Sequence, residues 1–153
     1  MVTSSDLPKD RVAIGQLLGR LLREFRIELF EPAAANGYPD LRESHLLILG
    51  NIGIHGMRLT ELAARSQLGL AATSEMVDNL VSLGYFERRP DERDRRAKLI
   101  FPTDRGRALL RDAGNQVAEI EQRWGGLIGT AQFNRACLDL QRLLDALDAE
   151  AKP

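Results

Sequence analysis

Cysteine and histidine are scarce in this chain of 153 residues, which has one cysteine and two histidines. A single cysteine cannot form an internal disulfide, and protein zinc sites draw on several cysteine and histidine ligands. No glycine-rich loop is followed by Lys-Ser or Lys-Thr, as a nucleotide-binding loop would be. No nucleophile stands at a recognisable spacing from a base. We therefore predict no metal, no cofactor and no catalytic residue, and a protein that is not an enzyme.

Long apolar runs are missing as well. None approaches the roughly 18 residues that a helix needs to cross a bilayer, and the N-terminal segment has no basic stretch leading into an apolar one. We expect a cytoplasmic protein without membrane contact. Apolar residues make up 44% of the chain and charged residues 28%, which is typical of a globular domain. The length suits a single domain over residues 1–153.

An amphipathic helical pattern lies near the N-terminus. Apolar residues recur every three or four positions from Ile14 to Leu29. We predict a helix that begins at Pro8 behind a cap at Ser5 or Asp6, because proline is favoured in a first helical turn.

The C-terminal part carries two more such patterns. One helix is predicted from Thr103 to a break at Gly125 and Gly126, and the last helix, from Thr130, has apolar residues at the spacing of a coiled-coil seam. A small domain cannot cover all these apolar faces, so a two-fold dimer is expected. The predicted dimerisation residues are Leu18, Leu21, Phe25, Trp124, Phe133, Cys137, Leu140, Leu144 and Leu147.

The middle of the chain predicts a helix-turn-helix. Asp40 and Glu43 have the spacing of a capping box at the start of a helix that ends near residue 53 or 56. A short helix over 60–65 and, after a turn, a longer helix over 71–83 follow.

A charged β-hairpin follows these helices. The segment Tyr85–Arg107 places two short apolar runs around a tip rich in arginine and aspartate. From Glu87 onward eight basic residues outnumber five acidic ones, a local charge of +3 in a chain of net charge −1. A basic finger suits a phosphate backbone, although charge alone also fits a solvated hairpin tip with incidental ion pairs.

The hairpin resembles the wing of the MarR family of winged-helix transcriptional regulators. Asp94-Arg95-Arg96, the strand Leu99-Ile100-Phe101 and the helix start Thr103-Asp104-Arg105-Gly106 resemble its D-R-R, strand, L-T-x-x-G pattern. Pro102 stands where that pattern has leucine, and the upstream helices fit the family's register without a gap.

The resemblance implies a mainly α fold with a small β-wing. A winged helix-turn-helix over residues 40–104 would be flanked by dimerisation helices over 8–36 and 107–150. It also implies a homodimer that binds a palindromic operator in double-stranded DNA and usually represses nearby genes. Many family members release DNA when a small aromatic acid or phenolic compound enters a cleft beside the DNA-binding region.

The resemblance places Arg96 in the minor groove and Asp94 as the residue that orients it. A narrow minor groove concentrates negative potential, which attracts a guanidinium. The other cations of the hairpin are candidates for phosphate contacts, which position a protein without reading sequence. They are Arg88, Arg89, Arg93, Arg95 and Lys98.

The predicted recognition helix is less typical of DNA binding. Its first half reads Ala71, Ala72, Thr73, Ser74 and Glu75, with the acid where the family commonly has arginine. Thr73, Ser74 and Glu75 are candidates for base contacts, because serine, threonine and glutamate can each bond a base edge. Ala71 and Ala72 would permit a close approach to DNA or touch thymine methyl groups. The acid also motivates an alternative, a winged-helix protein-interaction module with weakened DNA binding.

An effector site has weaker support. Tyr38, His45 and His55 are candidates for contact with a phenolic or carboxylic ligand, and each also fits a purely structural position. Cys137 lies on the predicted seam of the last helix, so we interpret it as a packing residue of the core or the dimer rather than a redox sensor.

Overall fold

The structure, a computed structural model, describes residues 7–152. They belong to two compact units, one up to Ala113 and the other from Gly114. The chain is mainly helical with one small antiparallel sheet. Its elements are α1 (Ile14–Phe30), a 3₁₀ turn (Glu43–His45), α2 (Leu46–Leu49), β1 (Met57–Arg58), α3 (Leu59–Ser66), α4 (Leu70–Ser82), β2 (Phe86–Pro90), β3 (Lys98–Pro102), α5 (Asp104–Ile128) and α6 (Thr130–Ala151).

Helix α1 begins later than the sequence predicts. It starts at Ile14, behind Ala13 in an extended conformation, and not at Pro8. The positions that continue its apolar stripe backwards hold Asp10 and Arg11, so a helix there would have no apolar face to pack. The caps predicted at residues 5 and 6 lie outside the described residues.

The predicted capping box at Asp40 is also wrong. The first helical turn starts at Glu43, and the backbone N–H of Arg42 donates to Nδ1 of His45 at 3.1 Å. The carboxylate of Asp40 instead accepts a hydrogen bond from the Tyr85 hydroxyl at 2.5 Å. Helix α2 stops at Gly50 rather than near residue 53 or 56.

Helices α3 and α4 form the predicted helix-turn-helix. Gln67, with φ 52°, ends α3 in a left-handed turn. Leu62 of α3 and Leu80 of α4 are fully buried and belong to one core cluster with Phe86 and Ile100 of the strands. The packing of both helices on the sheet fixes which face of α4 remains outside.

The sheet has three strands in the order β1-β3-β2, one more than the predicted hairpin. Strands β2 and β3 pair as expected, and the short β1 pairs on the other side of β3, with Met57 opposite Ile100. Gly56, which precedes β1, has φ +83°, and a Cβ atom there would lie 2.5 Å from the Phe101 ring. The ring and the left-handed backbone therefore both require glycine at this position.

Helix α5 does not break at Gly125 and Gly126, contrary to the prediction. It continues to Ile128 and ends at Gly129, whose φ is +100° and whose N–H donates to the Gly125 carbonyl at 2.8 Å. A glycine inside a helix costs only about 1 kcal/mol, so the intact ladder of backbone bonds tolerates the pair. No helix in the described part of the chain has the length and apolar character needed to cross a membrane.

Candidate nucleic-acid interface

The wing, residues 86–102, ends in a tip that its own backbone holds in shape. The Asp91 N–H donates to the Ala97 carbonyl at 3.0 Å, and the Ala97 N–H donates to the Asp94 carbonyl at 2.9 Å. Two carboxylates add Asx-type bonds, since Asp91 accepts from the Arg93 N–H at 3.0 Å and Asp94 from the Arg96 N–H at 3.1 Å. The backbone of the tip is thus an ordered loop from which the cations project.

Arg58 of β1 anchors this tip to the rest of the sheet. Its guanidinium donates to Oδ2 of Asp91 at 2.8 and 3.3 Å and lies 3.9 Å from Asp94. The bond from Arg58, followed by the backbone bond from Arg93, lowers the pKa of the Asp91 carboxyl. The carboxylate therefore stays charged and continues to hold the tip.

The cations of the wing fall into two groups. Arg88 pairs with Asp78 at 2.5 Å, and Arg89 pairs with Glu87 and lies 4.6 Å from the centre of the Phe101 ring. The cations at or next to the tip are exposed, and their side chains form no ion pair or hydrogen bond with any residue between 7 and 152. These are Arg93, Arg95, Arg96 and Lys98.

Asp94 contacts Arg96 through the backbone of the tip. The Asp94 carboxylate accepts a hydrogen bond from the backbone N–H of Arg96 and makes none with the Arg96 guanidinium. Asp94 therefore positions Arg96 through the main chain of the tip.

Helix α4 exposes a short, cation-free surface. Ala71, Ala72 and Glu75 are exposed and Ser74 is half-buried. Thr73 is fully buried, and its hydroxyl donates to the Gly69 carbonyl at 2.9 Å, so its assignment as a base-reading residue was wrong. A threonine hydroxyl satisfied by the preceding turn can face the core at little cost.

The base of the wing is closed by a cluster that the sequence did not predict. The buried hydroxyl of Tyr85 donates to Asp40 at 2.5 Å, and the Arg105 guanidinium lies 4.2 Å from the centre of the Tyr85 ring and 3.4 Å from the same carboxylate. Burial and the bond to Asp40 raise the pKa of Tyr85, while the Tyr85 bond lowers the pKa of Asp40. The cluster joins segments 20 to 65 residues apart, which no local pattern could reveal.

Two of the three residues predicted for an effector serve the fold instead. Tyr38 is buried and its hydroxyl donates to Asp112 at 2.6 Å, a bond that raises the pKa of the tyrosine. His45 is buried, with its Nε2 atom 2.7 Å from Oδ1 of Asn79. Both side chains are therefore occupied by contacts within the fold.

His55 lies in a different environment. It lines an open cavity of about 410 Å³, together with Ile54, Leu110, Arg107 and Arg111. Apolar walls and two cations are the features that an aromatic carboxylate requires.

The residues predicted to dimerise leave apolar surface exposed in each unit. On α1, Leu18 and Leu21 are exposed and Phe25 is half-buried. On α6, Cys137 is exposed, so the expectation of a core position for it is wrong within a single chain. Among the other residues predicted to dimerise, three on α6 are exposed, namely Leu140, Leu144 and Leu147. Trp124 of α5 and Phe133 of α6 are half-buried.

The helix-turn-helix followed by a paired, basic hairpin defines a winged-helix protein. The model of the MarR family matches residues 40–97, the segment from Asp40 through the wing tip. Over this segment the chain is similar to the MarR family. A comparison with curated proteins finds no match.

Several solved structures are similar to this chain over most of its length. The apo form of MarR from E. coli is 21% identical, with a TM-score of 0.67 over 88% of this chain and 99% of that one. CouR from Rhodococcus jostii RHA1, solved with p-coumaroyl-CoA, is 28% identical, with a TM-score of 0.67 over 85% of this chain and 90% of that one. The repressor CouR bound to a 23-mer DNA duplex is 26% identical, with a TM-score of 0.65 over 86% of this chain and 92% of that one.

Proposed function

We propose that this protein is a homodimeric transcriptional repressor that binds a palindromic operator and leaves it when a small aromatic acid binds. The observation that carries the DNA-binding part is the wing tip, where the loop between Asp91 and Ala97 holds exposed cations that have no acidic partner among residues 7–152. An ordered loop loses little conformational entropy when its cations meet phosphates or a minor groove. The structure of CouR with duplex DNA supports the same use of the fold.

Arg96 is the residue we propose for the minor groove. Its backbone is fixed by Asp94, and its side chain is exposed and free of any partner among residues 7–152. Arg93, Arg95 and Lys98 flank it as phosphate contacts. Arg88 and Arg89 already have acidic partners, so we expect weaker contributions from them.

DNA binding is tested with the duplex upstream of the gene itself, by fluorescence anisotropy from 50 to 200 mM salt. Wild type should bind at low salt and lose affinity steeply as salt rises, because phosphate contacts release counterions. Arg96→Ala should weaken binding by about 5- to 150-fold for each half-site whose minor groove the arginine no longer enters. Arg135→Ala, which removes an exposed Arg–Asp pair on α6, is the matched control and should bind like wild type. Absence of binding by wild type at low salt would overturn the proposal.

The apolar faces of α1 and α6 support the homodimer, with α1 (residues 14–30) and the α5–α6 segment (residues 104–151) as the dimerisation helices. Large apolar side chains in contiguous rows are uncommon on monomeric surfaces. Leu140, Leu144 and Leu147 step along one face of α6 at coiled-coil spacing, and all are exposed in the single chain. We place Phe133 and Cys137 on the same seam, Trp124 beside it, and Leu18, Leu21 and Phe25 on the α1 face.

Oligomeric state is tested by sedimentation of wild type and of Leu144→Asp. A charge on the proposed seam should give a monomer with greatly reduced affinity for a palindromic duplex. Asp145→Ala, one position away and off the seam, should remain dimeric. Wild type that sediments as a monomer at micromolar concentration would refute the homodimer.

The cavity lined by His55, Arg107 and Arg111 is the proposed effector site. Its size and two cations suit the carboxylate and ring of one aromatic acid, and CouR provides a family precedent with p-coumaroyl-CoA. Adding benzoate or p-coumarate should release wild-type protein from DNA, whereas Arg111→Ala should stay bound. Equal release of both proteins would place the effector elsewhere.

A protein-interaction module is the second candidate, because α4 has no basic residue from Leu70 to Ser82 and exposes Glu75. Under this function wild type would not bind DNA, and Glu75→Arg would create an affinity that wild type lacks. The same anisotropy assay separates the two candidates.

A further inference from the structure

We propose that Glu75 reads a cytosine in the major groove and so fixes one base pair in each half of the operator. This inference rests on the proposed DNA-binding function and adds its base specificity. Glu75 lies on the exposed face of α4.

The carboxylate of Glu75 is free to accept a hydrogen bond from outside the protein. The residue is exposed and forms no ion pair or hydrogen bond with any other residue in the described part of the chain. Asp78, the next acid on α4, differs because its carboxylate is 2.5 Å from the Arg88 guanidinium. Of the two acids on this helix, Glu75 is therefore the one available for a new donor.

The neighbours of Glu75 allow a close approach to DNA. Ala71 and Ala72, four and three residues earlier, lie on the same side of the helix and are exposed. Their methyl groups leave room for base edges beside the longer glutamate. In a helix-turn-helix the N-terminal part of the second helix contacts the bases, and these residues occupy that part of α4.

A carboxylate can only accept, so the donors on base edges decide what it binds. In the major groove cytosine offers its N4 amino group, and adenine offers N6 next to the acceptor N7. That N7 atom repels a carboxylate, and guanine N7 and O6 and thymine O4 are acceptors as well. Cytosine is the base that offers Glu75 a donor in the major groove and carries no acceptor beside that donor.

The missing cations on α4 strengthen this preference. Between Leu70 and Ser82 no lysine or arginine offsets the charge of Glu75, so a base without a donor would leave a desolvated, unpaired carboxylate. Discrimination therefore comes both from a favourable bond to cytosine and from a penalty at the other bases. The expected preference for cytosine is at least about fivefold in affinity per half-site.

The test is selection of operator sequences from a pool of random duplexes by the full-length protein and its variants. Wild type should select a C·G pair at one position of each half-site. Glu75→Gln should select A·T at that same position, since an amide can bond both N6 and N7 of adenine. Glu75→Ala should select no base there, and all other positions should stay the same.

Asp78→Asn is the matched control on the same helix. Its carboxylate is held by Arg88, so this variant should select the wild-type sequence. Identical preferences in wild type, Glu75→Gln and Glu75→Ala would overturn the inference and leave the proposed function intact. A change at that position in Asp78→Asn as well would also overturn it, because the cause would then be helix charge. Failure of wild type to bind any duplex would overturn the proposed function and this inference together.

Discussion

The bond between Tyr85 and Asp40 gives a quantitative prediction for stability. Tyr85→Phe removes a buried hydroxyl that donates to a carboxylate at 2.5 Å. Hydrogen bonds to charged groups contribute about 1.5–3 kcal/mol. Asp40 keeps Arg105 at 3.4 Å and remains 30% exposed to water, which offsets part of the loss. We therefore expect the variant to be less stable by about 1–2 kcal/mol at pH 7.

The difference in stability between wild type and Tyr85→Phe should decrease at acidic pH. The Tyr85 bond is the main cause of the lowered pKa of Asp40 in the folded protein. Because the pKa of Asp40 is lower in the folded protein than in the unfolded chain, where it is about 4, this carboxylate stabilises the fold at pH values above about 4. The stabilisation is lost as the pH falls through the folded-state pKa. The gap between wild type and Tyr85→Phe should therefore be full at pH 7 and should narrow below about pH 4.

Urea unfolding followed by circular dichroism, at one fixed protein concentration, measures this gap at each pH. Asp40→Asn provides the second arm of a double-mutant cycle, in which Tyr85→Phe should have a smaller effect. A gap that is absent at pH 7, or that stays constant down to pH 3, would refute the reasoning.

Two other predictions concern the wing and its base. Gly106→Ala would place a Cβ atom 2.0 Å from the Tyr85 carbonyl oxygen, so the free energy of unfolding measured in urea should fall by about 3 kcal/mol or more. Gly114 has open space around it, so Gly114→Ala should be neutral or stabilising. Equal stability of the two variants would contradict this prediction. Arg58→Ala should weaken DNA binding, and the loss should be smaller in an Arg96→Ala background than in wild type, because Arg58 acts by holding the tip that carries Arg96 and its flanking cations. Fully additive losses would contradict that role.

The parts of the fold with a regular sequence period could be predicted. Helices α3 and α4 and the hairpin follow from apolar spacing and turn residues, because burial of one face imposes that spacing. Strand β1 has only two residues, which is too short for any period to show. The start of α1 was misplaced because proline is compatible with a first helical turn but does not require one.

Helical spacing in the sequence predicts which side chains of the candidate site face the core and which face outward. Thr73 lies four residues before Val77 and seven before Leu80, so helical spacing places it on the buried face, and this signal could have excluded it from base contact. The contacts of Asp40 and His45 could not be predicted, since their partners Tyr85 and Asn79 are 45 and 34 residues away. Such contacts depend on tertiary packing, which local sequence does not encode.

Strand β1 has a mechanical consequence for regulation. It pairs with β3, its Arg58 grips the wing tip, and the next residue, Leu59, begins α3. Strand β1 therefore joins the wing to the helix-turn-helix, and we expect the two to move as one body. In the proposed homodimer, an effector would then act by changing the distance between the two winged helices, and the DNA-contacting surface of each would be the same in the bound and released states.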